Sequence, residues 1–193
     1  LFRYDKTSGE TVNLGPLFTS DNYQSWGSGE GWYFSATQPT TLYVRTDTAL
    51  LRYDVLTHAT STVFDIATQF GTDKFIWQLH SSNDDRVHSF SLELASNFSP
   101  LGCAVYREDT QTFSFFPRMG AASDYDECQG DKSGQWLLIK EDVDNGVNGE
   151  DNRIIDLATG AETTLLDADG AGGHSDNGFG VMIAADNTNN LPN

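Results

Sequence analysis

Along the chain, apolar and β-branched residues alternate with polar ones in short runs that stop at clusters of Thr, Ser, Gly, Asp and His. Alternation with a period of two is the mark of a strand with one face buried. The stretch LLRYDVLTHATSTVF at 50–64 has this form on both sides of a turn, and it returns as LFRYDKTSGETVNL at 1–14, CAVYREDTQTFSFF at 103–116 and NRIIDLATGAETTLL at 152–166. Aligned, Arg3, Arg52, Val105 and Ile154 fall at one position, with separations of 49, 53 and 49 residues. A nearly constant period of this size is the signature of a repeat architecture.

Ahead of each hairpin the pattern predicts another strand pair: from Gly31 (GWYFSATQPTTLYVRT), Phe75 (FIWQLHSSNDDRVHSFSL), Asp124 (DYDECQGDKSGQWLLIKE) and Gly173 (GHSDNGFGVMIAAD). Their turns, at 37–40, 83–85 and 132–134, use residues that favour tight reversals. Each unit then carries four strands, and no helical periodicity competes.

Units of four strands and about fifty residues are the blades of a β-propeller. A sandwich or a β-solenoid would also alternate, but solenoid repeats are shorter and a sandwich gives no reason for the period. The RYDxxT and IDLATG hairpins and the inner SATQPTTLYV and DKSGQWLLI pairs resemble blades of the TolB and WD-repeat group of propellers. The expected fold class is therefore all-β, a β-propeller of four-stranded antiparallel blades, with residues 1–193 as one domain or part of one. The chain opens in the third strand of a blade and stops after the first two strands of another. Those half-blades could close a four-bladed ring, but the preferred expectation is a piece of a six- to eight-bladed ring.

Composition fits a folded domain, with 38% hydrophobic and 12% aromatic residues and no apolar run long enough to span a bilayer. The charge is one-sided: 28 acidic against 11 basic residues give −17. Such a surface repels nucleic acid and anionic lipid, so neither is expected as a partner. It suits a salty extracellular or periplasmic setting, where screening weakens the repulsion between carboxylates.

The acidic stretches DVDNGVNGED from Asp142 and DADGAGGHSD from Asp167 offer oxygen donors for calcium, but lack the spacing of an EF-hand loop and read as polar blade connections. Cys103 and Cys128 fall on a third strand and on the innermost strand of the next blade. Placed at different radii, they are expected as two buried free thiols.

A propeller gathers one strand from every blade around its axis, so chemistry is expected on the innermost strands. Polar residues there include Gln78 and His80, Asp126, Glu127 and Gln129, and His174 and Asp176. His80 and His174 with Gln78 or Glu127 have the donor types for a divalent metal such as Mn or Zn. They are equally suited to general acid and base roles. His88 is expected to pack between blades and His58 to lie on the surface. There is no CxxC, HExxH, GxSxG or phosphate-binding loop, which leaves nucleophilic and phosphoryl-transfer chemistry without support.

HSDNGFGVMIAADN and the LLRYDVLT hairpins resemble blades of oligogalacturonate-lyase-type propellers, which cleave uronate sugars by β-elimination with a metal held by histidines and a glutamine at the axis. That resemblance implies His80, His174 and Gln78 as ligands and Arg86 as the group for the substrate carboxylate or the base. A strongly acidic protein needs a cation or an arginine to hold an acidic sugar. The other reading is a binding or scaffold propeller for a glycan or protein ligand, using exposed aromatics such as Trp26, Trp32 and Tyr33 with Asp176 near the axis.

Overall fold

The computed structural model describes residues 2–13, 31–119, 127–141 and 151–165. The first strands, β1 (Phe2–Tyr4) and β2 (Thr11–Asn13), form a two-stranded hairpin. Blade one is β3 (Trp32–Phe34), β4 (Thr41–Arg45), β5 (Ala49–Asp54) and β6 (Thr60–Asp65). A single helical turn, α1 (Ala67–Phe70), leads into blade two: β7 (Lys74–Ser81), β8 (Val87–Leu94), β9 (Pro100–Arg107) and β10 (Thr112–Pro117). Blade three is β11 (Glu127–Gly130), β12 (Trp136–Glu141), β13 (Asp151–Asp156) and β14 (Glu162–Leu165). In each blade the strands lie side by side in chain order, all antiparallel. The chain is thus an all-β propeller of four-stranded blades. The pair expected from Gly173 lies outside the described residues.

The repeat is visible in atomic detail at the outer hairpins. Asp5, Asp54 and Asp156 accept hydrogen bonds from the second backbone N–H after them, at 2.7, 2.9 and 2.8 Å. Four residues beyond each, the chain turns left-handed at Gly9, His58 and Gly160, with φ 73°, 61° and 71°. These are the Asx-stabilised turns that Asp favours. In the third copy Arg107 replaces the aspartate, and Gln111 takes the left-handed position at φ 55°.

Blades pack face to face. Between blades one and two, Leu50, Phe64 and Ile66 meet Leu79, Phe90 and Leu92, with Phe64 stacked 5.2 Å from Phe90. Between blades two and three, Val105 meets Leu137, Ile139 and Ile155. Each fully buried side chain of this size contributes about 1.5–3 kcal/mol. The interfaces are also sewn by polar contacts. Ser35 donates to Asp85 at 2.5 Å from blade one to two, and Gly130 N–H donates to Ser89 Oγ at 2.8 Å from blade three to two.

The expectation of two free thiols is overturned: Cys103 and Cys128 are joined in a disulfide, Cα–Cα 5.7 Å, both wholly buried. Radial rank does not separate them, because β11 packs against the face of β8 and β9 as well as against its neighbour β7. The innermost strand of one blade thereby meets the third strand of the blade before it.

Candidate functional site

The innermost strand of blade two carries a β-bulge. Ile76 pairs with Leu92 and Leu79 with Phe90, so Trp77 and Gln78 together oppose Ser91. Ile76 and Leu79 both enter the core with blade one. Without the extra residue, alternation would turn one of them outward. The bulge therefore puts Phe75, Trp77, Gln78 and His80 on the face away from that core. His80 pairs with Ser89, which meets Gly130 of β11, so this face looks toward blade three.

Arg45 holds the bulge from the neighbouring blade. It is 8% exposed, and its Nη1 donates to Ile76 O at 3.2 Å and to Trp77 O. Replacing Arg45 with Met, which keeps the apolar stem, is expected to destabilise the chain by about 1–3 kcal/mol through unsatisfied buried carbonyls. Hydrogen exchange at the bulge amides should accelerate with it. Unchanged exchange would mean that strand pairing alone fixes the bulge.

No described residue hydrogen-bonds the His80 ring. Burial, with Lys132 adding repulsion, pushes its pKa down to about 4, so the imidazole is neutral at pH 7. Neutral imidazole is the form that binds metals and accepts protons. Gln78, 4% exposed, lies beside it along the strand. Asp47, in the turn between β4 and β5, sits at the other end of β7, where its carbonyl accepts from Ile76 N–H at 2.7 Å. Burial raises the pKa of its carboxyl against the pull of Arg45.

The remaining expected residues fall in different places. Glu127 pairs with Lys140 at the start of β11, and its side chain lies outside the described residues, as do Trp26, Asp126, His174 and Asp176. Both acidic stretches lie there too, apart from the backbone of Asp151. Arg86 is exposed in the β7–β8 turn, with Nε 4.0 Å from Asp84. Trp32 is 55% exposed on β3. His58 is on the surface, as expected, with Tyr53 Oη 2.9 Å from its Nδ1. Among the described residues, no three His, Cys, Asp or Glu side chains converge on one point.

Tyr33 belongs to a second polar centre that the residue pattern did not disclose. His88, fully buried between blades one and two, places Nε2 3.0 Å from Glu108 Oε1 and Nδ1 2.8 Å from Ser81 Oγ. Ser81 donates to Tyr33 Oη at 2.6 Å. Arg52 donates to Glu108 Oε2 at 2.6 Å and to Tyr43 Oη at 3.2 Å. Burial works against the Glu108 charge, but hydrogen bonds from His88 and Arg52 outweigh it and hold the carboxyl below its usual range. Burial keeps the Tyr33 phenol protonated. With Glu108 ionised, the imidazole Nε2–H points at its carboxylate, and Nδ1 faces the linked Ser81 and Tyr33 hydroxyls.

Blade-to-blade comparison is the signal that isolates this centre. Glu108, Val55 and Leu157 each donate their N–H to the residue just before the second strand, at Arg86, Thr40 and Gln135. Counted from there, His88 stands where blades one and three have the buried Leu42 and Leu137. Glu108 stands where they have Val55 and Leu157.

No family model matches the chain, and no curated protein matches it in sequence. Among solved structures it is similar to oligogalacturonate lyase from Vibrio parahaemolyticus, with TM-score 0.58 and 7% identity over 86% of this chain and 46% of that one. It is also similar to hydrazine synthase from Kuenenia stuttgartiensis, with TM-score 0.51 and 13% identity over 86% and 47%. A prolyl endopeptidase gives TM-score 0.51 and 10% identity over 72% and 23%. The chain spans less than half the length of each. Proteins with such different names share the fold alone with this chain.

Proposed function

We propose that this chain is part of a carbohydrate-active propeller, a polysaccharide lyase for uronate sugars with its site at the axis. The observation that carries this reading is the bulged face of β7, where a half-buried, neutral His80 stands beside Gln78 on an innermost strand. The likeness to the oligogalacturonate lyase structure supports it as fold context.

β-Elimination needs a base for the proton next to the uronate carboxyl and a positive charge to offset the carboxylate. His80 is competent as base or as metal ligand. An imidazole nitrogen and an amide oxygen suit a divalent ion such as Mn, Zn or Ca, with His174 and Glu127 as further donors; bound there, the ion would neutralise the substrate carboxylate. In this reading Arg86 is the alternative partner for that carboxylate, and Trp32 and Asp176 contact the sugar, while Tyr33, expected as a sugar contact, is held instead in the centre between blades one and two. The buried disulfide among the described residues supports an oxidising compartment, extracellular or periplasmic. No helix among the described residues is long and apolar enough to cross a membrane.

The test is elimination from polygalacturonate, followed by the absorbance of the unsaturated product, with metal content measured alongside. His80→Ala is expected to abolish product and lower bound metal while leaving the melting temperature near that of the parent chain. Full activity in His80→Ala would remove the axial site.

His80 also gives a stability signature. Its folded pKa of about 4 lies below its ordinary 6.5. Between those values the unfolded chain binds the extra proton, so stability should fall on acidification with a slope approaching about 1.4 kcal/mol per pH unit from this group. The contribution to that slope should vanish in His80→Asn, as read by denaturant unfolding across that window.

A further inference from the structure

The aromatic end of β7 has a structure of its own. Phe75 lies edge-on to Trp77 at 6.1 Å and edge-on to Phe98 at 5.5 Å, bringing the β8–β9 turn against the innermost strand. Exposure decreases inward, from Phe98 at 58% through half-buried Phe75 and Trp77 to Gln78 at 4%. At about 3.3 Å per residue, the face from Phe75 to His80 extends about 16 Å, room for an oligosaccharide rather than a single sugar.

Phe98, in the β8–β9 turn, is an exception among turns of this type. Its N–H bonds to the carbonyl four residues back, at 2.9 Å, as those of Gly9, His58 and Gly160 do. Like them it is left-handed, at φ 59°. Glycine or a polar residue occupies that position in the outer hairpins, including Gln111 in the third copy. A bulky aromatic there is strained, and most of its ring is left in water. Its ring partner among the described residues is Phe75, edge-on at 5.5 Å, and the 58% of the residue left in water is surface for a ligand to cover. Exposed aromatic surface on the same face as the amide of Gln78 and the imidazole of His80 matches a pyranose, which has apolar C–H faces and a hydroxyl rim.

We infer that Phe98, Phe75 and Trp77 form a sugar-stacking subsite at the outer end of β7, holding one ring of an oligosaccharide whose next ring extends toward Gln78 and His80. This rests on the carbohydrate reading above and gives it a polarity: the chain enters over Phe98 and reacts at the His80 end.

The test is isothermal titration of the whole chain with tetragalacturonate, and with cellotetraose as a neutral probe. Phe98→Gly and Trp77→Ala are expected to weaken binding of the sugar that binds by about tenfold each. Phe98→Gly should also melt at a higher temperature, because glycine accepts the left-handed backbone. That rise shows that its lost affinity is not lost folding. Cellotetraose binding with the same dependence keeps the subsite and removes the preference for uronates. Parent-like affinity in both variants overturns the subsite and leaves the carbohydrate reading standing. A parent chain that binds neither sugar overturns both.

Discussion

Glu108→Leu is expected to destabilise the chain by about 2–3 kcal/mol, because it strands a fully buried imidazole and a half-buried, partly water-screened guanidinium that now lean on one carboxylate. Glu108 takes bonds from His88 and Arg52 at 3.0 and 2.6 Å. His88→Leu should cost a similar amount, leaving Glu108 and the linked Ser81–Tyr33 hydroxyls facing an apolar side chain. The double replacement His88→Leu/Glu108→Leu is expected to recover part of that loss, since blades one and three already use Leu42 and Leu137 at the first position and Val55 and Leu157 at the second. A double-mutant cycle by urea unfolding gives the coupling directly. Additive losses would mean that the two side chains do not act as one network. Low pH provides an independent check. Glu108 has a depressed pKa, so its stabilisation is present above the unfolded value and is lost as pH falls through the folded one.

Removal of the disulfide, by Cys103→Val with Cys128→Ala, is expected to lower stability by about 3 kcal/mol. The closed loop has a sequence separation of 25 residues, and chain entropy alone accounts for a loss of this order in the unfolded state. Both sulfurs are buried among Val105, Leu137 and Ile139, so the apolar replacements retain part of the packing. Calorimetry of the parent chain with and without reductant measures the same quantity without mutation. An unchanged melting temperature in both experiments would show that blade packing alone fixes the Cys103–Cys128 approach.

The two experiments address different links between neighbouring blades. The disulfide joins blades two and three, and the His88–Glu108 centre joins blades one and two. The His88–Glu108 centre lies on the blade-one side of β7, so its replacement should leave chemistry at His80 largely intact, whereas the disulfide lies in the interface with blade three that His80 faces.

Much of this architecture was legible from residue order because its causes are local. Period-two alternation sets which residues of a strand share a face, and Asp with Gly or His at fixed offsets closes the outer turns. The near-constant period of the four hairpins is enough to require repeated four-stranded units, and an inter-blade position for His88 follows from its place on a second strand. What the order of residues could not supply arises from contacts between blades. The bulge at Trp77 and Gln78 changes which face a side chain occupies, and a guanidinium from another blade, Arg45, holds it. The pairing of Cys103 with Cys128 depends on how β11 lies across the preceding blade, a matter of sheet packing that radial rank does not capture. The His88–Glu108 centre draws on five strands and a turn, and only their packing removes the water that would otherwise weaken each of its bonds. Sequence thus determined the strands, the turns and the repeat through short-range chemistry, while tertiary structure decided which polar groups meet, because burial and distance are properties of the packed blades.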